Sequence, residues 1–271
     1  MVKQRVKTAL VLGVVLVLVL LLSNLPWVMP LVTAFLAFMG VYELLSVTGA
    51  KLSKLAVYVS LGGAILIPLL PIPYYKPILA GVFVLALVIF GYMMFAKDKL
   101  QLRSTAAVTG IALLIAFLFK SFGELRSIEN GLTYLIAAIL ACMITDTAAF
   151  FVGRAMGKHK LAPKLSPSKT VEGAVGGIVC TLVLLTAVVA VYDAVSNCSV
   201  NYGSLLLWAL PATVIAQFGD LSMSVIKRIV GVKDFGNLLP GHGGILDRFD
   251  SYLFVIPYTL LFVTYISCFI Y

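Results

Sequence analysis

Nine runs of predominantly apolar residues, separated by short polar connections, fill most of this chain. A helix needs about 20 such residues to cross a bilayer, and a shorter run can extend into its flanks. Lipid offers no hydrogen bonds to the backbone, so a crossing run folds as a helix. We therefore predict an all-α, polytopic membrane protein with about nine transmembrane helices, near Val6–Leu25, Val28–Leu45, Leu55–Leu70, Pro77–Ala96, Thr105–Phe119, Leu132–Val152, Val171–Tyr192, Leu205–Val225 and Tyr252–Tyr271.

The composition excludes an ordinary soluble domain. Of the 271 residues, 62% are hydrophobic and 11% are charged, whereas soluble domains are roughly 45–50% apolar and about 25% charged. The first run follows Lys3, Arg5 and Lys7, as in a secretory signal peptide, but no small-residue cleavage site comes after it. We expect this run to remain as the first transmembrane helix.

The basic residues are distributed unequally between the two sides of the predicted topology. With a cytoplasmic N-terminus, 17 of the 20 Lys and Arg residues lie in cytoplasmic segments, and only Lys76, Lys120 and Arg126 lie outside. This follows the positive-inside rule and predicts an external C-terminus. The net charge of +9 would then face anionic lipid headgroups. No basic patch interleaved with aromatic residues is present, which argues against a nucleic-acid partner.

The four cysteines form no C-x-x-C pair, and the two histidines lie too far apart for a zinc-binding spacing. We expect the cysteines to act mainly as small apolar residues. Cys198 and Cys268 both fall on the external side of the predicted topology, and the sequence leaves open whether they form a disulfide.

A first polar cluster follows the sixth apolar run, between residues 145 and 173. Asp146 lies late in that run, and the connection "LAPKLSPSKT" includes Lys164. We expect Ser168 to cap the seventh helix and Glu172 to lie in its first turn. Together with Lys169 and Thr170, hydroxyl, ammonium and helix N–H groups suit a phosphate. The alternative is an ordinary helix cap beside positive-inside charges.

A second polar cluster precedes the last apolar run, between residues 219 and 251. Asp220 and Ser224 are four residues apart and share a helix face, with Lys227 and Arg228 farther along. The sequence "LPGHGG" cannot form a regular helix, and its backbone N–H groups could point toward phosphate oxygens. Asp247 follows this loop, and Asp250 lies three residues later on the same face.

Asp220 and Asp247 are expected to end one helix and begin the next, on either side of the glycine loop. Mg²⁺ in proteins favours one or two carboxylates together with substrate oxygens. Two carboxylates with Lys and Arg nearby could therefore hold Mg²⁺ against a polyphosphate while the cations stabilise transition-state charge. The alternative is a re-entrant turn that is locked by ion pairs.

The segment Ser224 to Asp250 reads "SVIKR", then "KD", then "LPGHGGILDRFD", and it resembles the signature of the phosphatidate cytidylyltransferase (CDP-diacylglycerol synthase) family over its 27 residues. Upstream, "TDT", "GRAMGKHKLAP" and "SPSKTVEG" also resemble that family, although Thr145 stands where serine is expected. Up to about residue 135, the chain resembles the family only in being hydrophobic.

The resemblance implies that the protein converts CTP and phosphatidic acid into CDP-diacylglycerol and pyrophosphate with Mg²⁺. It implies a homodimer in the cytoplasmic (inner) membrane of a bacterium, surrounded by membrane lipids, with the active site facing the cytoplasm. Residues 1–135 would form a scaffold for lipid access and dimer contacts, and residues 136–271 would carry the catalytic site. The lipid phosphate is already anionic, so catalysis would consist of positioning and charge neutralisation.

The resemblance also assigns roles to individual residues. The metal ligands would be Asp220 and Asp247. Catalytic roles are expected for Lys227, Arg228, Asp250 and Asp146. The substrates would be bound by Lys164, Ser168, Lys169, Thr170, Glu172, Ser224, Lys233, His242 and Arg248.

Two other functions remain as alternatives. A CTP-dependent polyprenol kinase would transfer the γ-phosphate to an alcohol, and the complete signature argues against it. A transporter of anionic solutes often has two-fold repeats with broken helices at mid-membrane, whereas the polar residues here gather in the C-terminal half. A CDP-alcohol phosphatidyltransferase would need a D-G-x-x-A-R run, which the chain lacks.

Overall fold

A computed structural model describes residues 2–48, 52–71, 75–95, 105–196, 199–239 and 243–270, and the chain there is mainly helical. Two pairs of short strands interrupt the helices. The elements are α1 Val2–Leu22, α2 Val28–Val47, α3 Lys54–Leu69, α4 Tyr75–Phe95, α5 Thr105–Ser127, α6 Gly131–Met156, β1 Lys160–Ala162, β2 Ser166–Thr170, α7 Val171–Val195, β3 Ser199–Val200, α8 Tyr202–Val230, α9 Leu246–Phe249, α10 Tyr252–Tyr265 and β4 Phe269–Ile270.

A helix forms at each of the nine apolar runs, and this confirms the all-α membrane class. Within the described residues, five helices are long and apolar enough to cross a membrane: Val28–Val47, Ala106–Ser127, Gly131–Met156, Val171–Val195 and Tyr202–Val230. The apolar stretches of α1, α3, α4 and α10 are shorter. The count of nine crossings and the orientation of the termini stay predictions.

The last helix is shorter than predicted, since α10 ends at Tyr265 rather than at residue 271. The chain beyond it turns extended at Ile266 and forms β4, which pairs antiparallel with β3. The Tyr134 hydroxyl accepts a hydrogen bond from the Cys268 N–H at 2.8 Å. These partners replace the helical hydrogen bonds of this segment. Cys268 is a buried free thiol, and Cys198 lies outside the described residues.

The connection between α6 and α7 is an antiparallel hairpin of β1 and β2, which the sequence analysis did not predict. Ser168 was expected to cap α7, and this was wrong because Ser168 lies within β2. Thr170 is the cap: its backbone is extended, and its Oγ1 accepts a hydrogen bond from the Gly173 N–H at 3.1 Å. Glu172 does lie in the first turn of α7.

The helices that carry the polar clusters pack closely on one another. The hydroxyls of Thr145 in α6 and Thr181 in α7 share a hydrogen bond at 2.9 Å inside the protein. In α8, the buried Trp208 donates to Thr259 Oγ1 of α10 at 3.1 Å. Gln217 of α8 donates to the Ala174 carbonyl of α7 at 3.1 Å, so polar contacts link all four helices and bring the two clusters together.

Contacts also join the N-terminal helices to the C-terminal ones. Helix α5 packs on α10, and α2 touches the short helix α9. The proposed division at residue 135 falls four residues after the start of α6 at Gly131, and this division stays a prediction.

Candidate active site

Three carboxylates from different elements lie within electrostatic range of one another beside α9. They belong to Asp146 of α6, Asp220 of α8 and Asp250, which directly follows α9. The charge of Asp220 repels both Asp146 and Asp250. Burial and then this repulsion raise the pKa of Asp250 to about 8. Mutually repelling carboxylates with a perturbed pKa make this region a candidate functional site.

The close approach of α8 to Asp250 requires a residue without a side chain. A Cβ atom on Gly219 would lie 2.8 Å from the Asp250 carbonyl oxygen. The predicted eighth run ended at Val225, whereas α8 continues to Val230. Asp220 therefore lies inside the helix and does not end it, so that expectation was wrong. Helical hydrogen bonds hold its backbone, and the ion pair with Lys169 holds its carboxylate.

Basic side chains from three elements surround the carboxylates. Lys169 of β2 forms an ion pair with Asp220 Oδ2. Lys169 and Arg248 also attract the Asp146 carboxylate, and Lys227 attracts Asp250. Arg248 is exposed, which leaves its guanidinium accessible to a ligand. The alternation of signs lets the site hold a polyanion and a cation together.

Lys227 and Asp247 form a buried ion pair behind this cluster. Lys227 Nζ donates to Asp247 Oδ1 at 2.9 Å, and the two residues are only 8% and 6% exposed. Asp247 Oδ2 accepts from the N–H groups of Phe235 at 2.8 Å and Gly244 at 3.0 Å. A buried pair is tolerated when further hydrogen bonds satisfy its polar atoms. Asp247 thus holds both ends of the loop between α8 and α9.

The described residues of the glycine loop are not helical, as its composition predicted. Leu239 N–H donates to the Gly243 carbonyl at 2.9 Å, and Gly243 has a φ of 81°, a conformation that favours glycine. The loop's N–H groups were expected to face phosphate oxygens, but those of Gly244, Ile245 and Leu246 donate to protein carboxylates. His242 lies outside the described residues.

Glu43 of α2 supplies one of these carboxylates, and the sequence analysis missed it. It is 2% exposed, and its Oε1 and Oε2 accept the Ile245 and Leu246 N–H groups, each at 2.8 Å. A carboxylate inside an apolar run is expensive in a membrane and usually functional. Glu43 stands in the second predicted run, so the same reasoning that selected Asp146 could have selected it.

The hairpin is tied to the site at its turn and at its base. Arg228 donates to the carbonyls of Leu165, in the hairpin, and Val232, each at 3.1 Å. Glu172 accepts from the Lys158 N–H at 3.0 Å and shares a 2.6 Å hydrogen bond with His159 Nδ1. These contacts give Arg228 and Glu172 observed roles in holding the hairpin over α7 and α8. Their contact with a substrate stays a prediction.

The other predicted substrate-binding residues differ in their surroundings. Ser224 is buried in α8, one turn after Asp220, and Thr170 is occupied as the cap of α7. Lys164, Ser168 and Lys233 are exposed, and in the described part of the chain none of the three forms an ion pair with the carboxylates.

The donor set around Asp220 fits a divalent cation. Two carboxylates that repel each other are stabilised by a cation between them, and Mg²⁺ takes its remaining ligands from water and phosphate. Among the described residues, no three His, Cys, Asp or Glu side chains form a preformed metal cage. An ion held by one or two carboxylates and completed by substrate oxygens stays a prediction.

A family model described as "Cytidylyltransferase family" matches residues 3–266. The chain belongs to the cytidylyltransferase family. The match begins in α1, so family resemblance extends well before residue 135 and is not limited to hydrophobicity there. The residues that converge in the structure, from Asp146 to Asp250, all lie within the matched range.

Curated relatives are similar along almost the whole chain. A phosphatidate cytidylyltransferase of Bacillus subtilis (strain 168) is 37% identical over 265 residues, which cover 94% of this chain and 95% of that protein. A protein of the same name from Staphylococcus aureus (strain COL) is 36% identical over 259 residues, with 94% and 96% covered. One from Staphylococcus epidermidis is 40% identical over 179 residues, or 66% of each chain.

Proposed function

We infer that this protein is a membrane nucleotidyltransferase that transfers CMP from CTP to phosphatidic acid and forms CDP-diacylglycerol and pyrophosphate. One observation carries the proposal. In a chain of this family, Lys169 pairs with Asp220, and the carboxylates of Asp146 and Asp250 lie within electrostatic range of this pair. The Bacillus subtilis phosphatidate cytidylyltransferase is 37% identical across 94% of the chain, and this similarity supports the choice of substrates.

The proposed reaction needs little proton transfer from the protein. A phosphate oxygen of the lipid attacks the α-phosphorus of CTP, a new P–O bond forms, and the bond to the β-phosphate oxygen breaks as pyrophosphate leaves. Lys169 and Arg248 would neutralise phosphate charge, and β2 and α9 would hold them against the reacting groups. Positioning and charge stabilisation of this kind supply most of the rate in phosphoryl transfer.

Mg²⁺ would neutralise phosphate charge and orient the phosphate oxygens when it is bound. Asp220 is the proposed first ligand. Asp247 was predicted as the second ligand, but its oxygens already accept from Lys227, Phe235 and Gly244. The carboxylates of Asp250 and Asp220 are close enough to repel each other, so Asp250 is an alternative second ligand. The two assignments predict different effects of substitution on the Mg²⁺ requirement.

We also propose a cytoplasmic N-terminus, an external C-terminus and a site that opens to the cytoplasm of a bacterial inner membrane. Long-range contacts support the alternating topology, since each joins segments assigned to the same side. Lys120 donates to the Leu70 carbonyl, and β3 pairs with β4, all on the external side. Arg228 contacts Leu165 on the cytoplasmic side, where the soluble nucleotide would enter.

The homodimer that the family resemblance implied remains a proposal as well. Helix α1 leaves apolar side chains such as Leu10, Val14 and Leu21 exposed, and these face either lipid or a second copy. Light scattering of the detergent complex, corrected for bound detergent, would distinguish a monomer from a dimer.

Labelled CTP tests the proposed function. Purified protein would be incubated with phosphatidic acid, Mg²⁺ and CTP that is labelled at either the α- or the γ-phosphate. We expect the α-label in the lipid and the γ-label in pyrophosphate. Label from the γ-position in a lipid would instead show a kinase, and no lipid label with solute uptake into vesicles would show a transporter.

A further inference from the structure

The second helix reaches the site through a single buried carboxylate. Glu43 lies near the C-terminal end of α2, which is otherwise apolar around it, and the residue is 2% exposed. Both carboxylate oxygens are bonded to the chain just before Asp247, since Oε1 accepts from Ile245 N–H and Oε2 accepts from Leu246 N–H, each at 2.8 Å. Glu43 lies 202 positions from Ile245 and 203 from Leu246 in the sequence.

The chain around Glu43 is built to admit its carboxylate. A Cβ atom on Gly236 would lie 2.8 Å from Glu43 Oε1, and one on Gly244 would lie 2.5 Å from Oε2. On the preceding turn of α2, Gly40 lies beside Leu246, where a Cβ would make an ordinary van der Waals contact at 3.5 Å from Leu246 Cδ1. Gly236 and Gly244 thus leave room for the glutamate carboxylate.

Glu43 replaces a cap that α9 does not have. The residue before α9 is Ile245, whose side chain makes no capping hydrogen bond. The first N–H groups of a helix need acceptors, and a carboxylate at this end also suits the helix dipole. Glu43 provides both acceptors from another helix, while Asp247 takes the N–H groups of Gly244 and Phe235. Glu43 and Asp247 therefore each accept hydrogen bonds from two backbone N–H groups in this part of the chain.

From this geometry we propose that Glu43 is a positioning residue, which fixes the start of α9 and thereby places Asp247, Arg248 and Asp250 for the reaction. The inference rests on the proposed function and deepens it, because it assigns a residue of the N-terminal helices to the catalytic step. Glu43 is not proposed to contact a substrate. It acts through the backbone of Ile245 and Leu246, and the functional groups follow within five residues.

Glu43→Gln is the test variant. Its side chain keeps one oxygen but presents an NH₂ group to the second backbone N–H, so two donors would face each other. Because displaced catalytic groups can cost on the order of 10²-fold in rate, we expect kcat to fall about 10- to 100-fold. The Mg²⁺ concentration for half-maximal activity should rise. Glu43→Asp keeps both oxygens and should recover part of the lost kcat.

Two controls separate positioning from stability. Val41→Ala removes buried apolar volume from the same helix without removing a hydrogen bond, and Glu124→Gln removes a carboxylate that pairs with Lys120 on α5. Both should lower the thermal midpoint of unfolding by some degrees while kcat per folded protein and the Mg²⁺ midpoint remain as in the wild type. All variants are purified in the same detergent and normalised to folded protein.

A folded Glu43→Gln variant with wild-type kcat and a wild-type Mg²⁺ midpoint would overturn the proposal and leave Glu43 as a structural residue. If Glu43→Gln does not fold, the same two measurements on Glu43→Asp decide, because wild-type values for both would again contradict it. Inactivity of the wild-type protein itself would count against the proposed function and not against the role of Glu43.

Discussion

Asp247 Oδ1 accepts a hydrogen bond from Lys227 Nζ at 2.9 Å inside the protein. Its Oδ2 accepts from two backbone N–H groups of the adjoining loop. Lys227 Nζ also lies 5.5 Å from the centre of the Phe235 ring. A charge on α8 is thereby connected to the loop and to α9. The pair thus serves the architecture of the site, whether or not Asp247 also contacts a metal.

Substitution of one member of this pair should be costly for stability. In Lys227→Met, Asp247 would keep a buried charge without its partner, which typically costs about 3–5 kcal/mol. Thermal unfolding in detergent, measured for Lys227→Met, Asp247→Leu and the double variant, checks this. We expect the double variant to be more stable than the sum of the single effects predicts, and strict additivity would contradict the pairing.

Lys169 should contribute to nucleotide binding more than to folding. Its ion pair with Asp220 is partly exposed, so its loss should change stability by less than about 1 kcal/mol. Lys169→Gln should raise the KM for CTP, because a charge that faces the phosphates is removed. Lys54→Gln, at an exposed position on α3, is the matched control and should leave KM unchanged. An equal KM for both variants would exclude Lys169 from the nucleotide site.

The Mg²⁺ requirement distinguishes the two proposed ligand sets. EDTA should abolish activity and added Mg²⁺ should restore it. If Asp250 is the partner of Asp220, Asp250→Asn should raise the Mg²⁺ midpoint more than Asp247→Asn does, because Asp247 is occupied by protein donors. The opposite order would restore Asp247 as the ligand, and activity that survives thorough chelation would exclude the metal from the reaction.

The cap of α7 provides a test that is independent of catalysis. Thr170→Val removes the hydroxyl that accepts from Gly173 N–H, so we expect a loss of about 1 kcal/mol in unfolding free energy. Ser168→Ala, two residues earlier on an exposed strand position, should be nearly neutral. Chemical denaturation of both variants measures the difference. A larger loss for Ser168→Ala would return the cap to the position predicted from the sequence.

Local patterns predicted much of this molecule. The apolar runs identified the helices because burial in lipid requires length and hydrophobicity, which are visible in a short window. Asp146 and Asp220 were selected because a carboxylate in an apolar run is costly to place in a membrane and is usually functional. The structure brings both to one place together with Asp250.

What the sequence did not reveal depends on partners that are distant along the chain. The acceptor of the Ile245 N–H is Glu43, and β3 finds its partner only in the last residues of the chain. Neither hydrophobic periodicity nor a sequence motif predicts which helices will be neighbours. The cap of α7 was misplaced for a related reason, since pairing of β2 with β1 holds Ser168 in a strand and moves the helix start to Thr170.

The release of pyrophosphate by Asp220→Asn, beside the wild type, tests the central claim most directly. Asp193→Asn is the matched control, because Asp193 lies near the end of α7 opposite Glu172 and accepts a hydrogen bond from the Tyr202 hydroxyl. We predict that wild type and Asp193→Asn release pyrophosphate in step with CDP-diacylglycerol, whereas Asp220→Asn is slower by about 100-fold or more, as expected for a charge-stabilising group. Turnover of folded Asp220→Asn at the wild-type rate would contradict the carboxylate site.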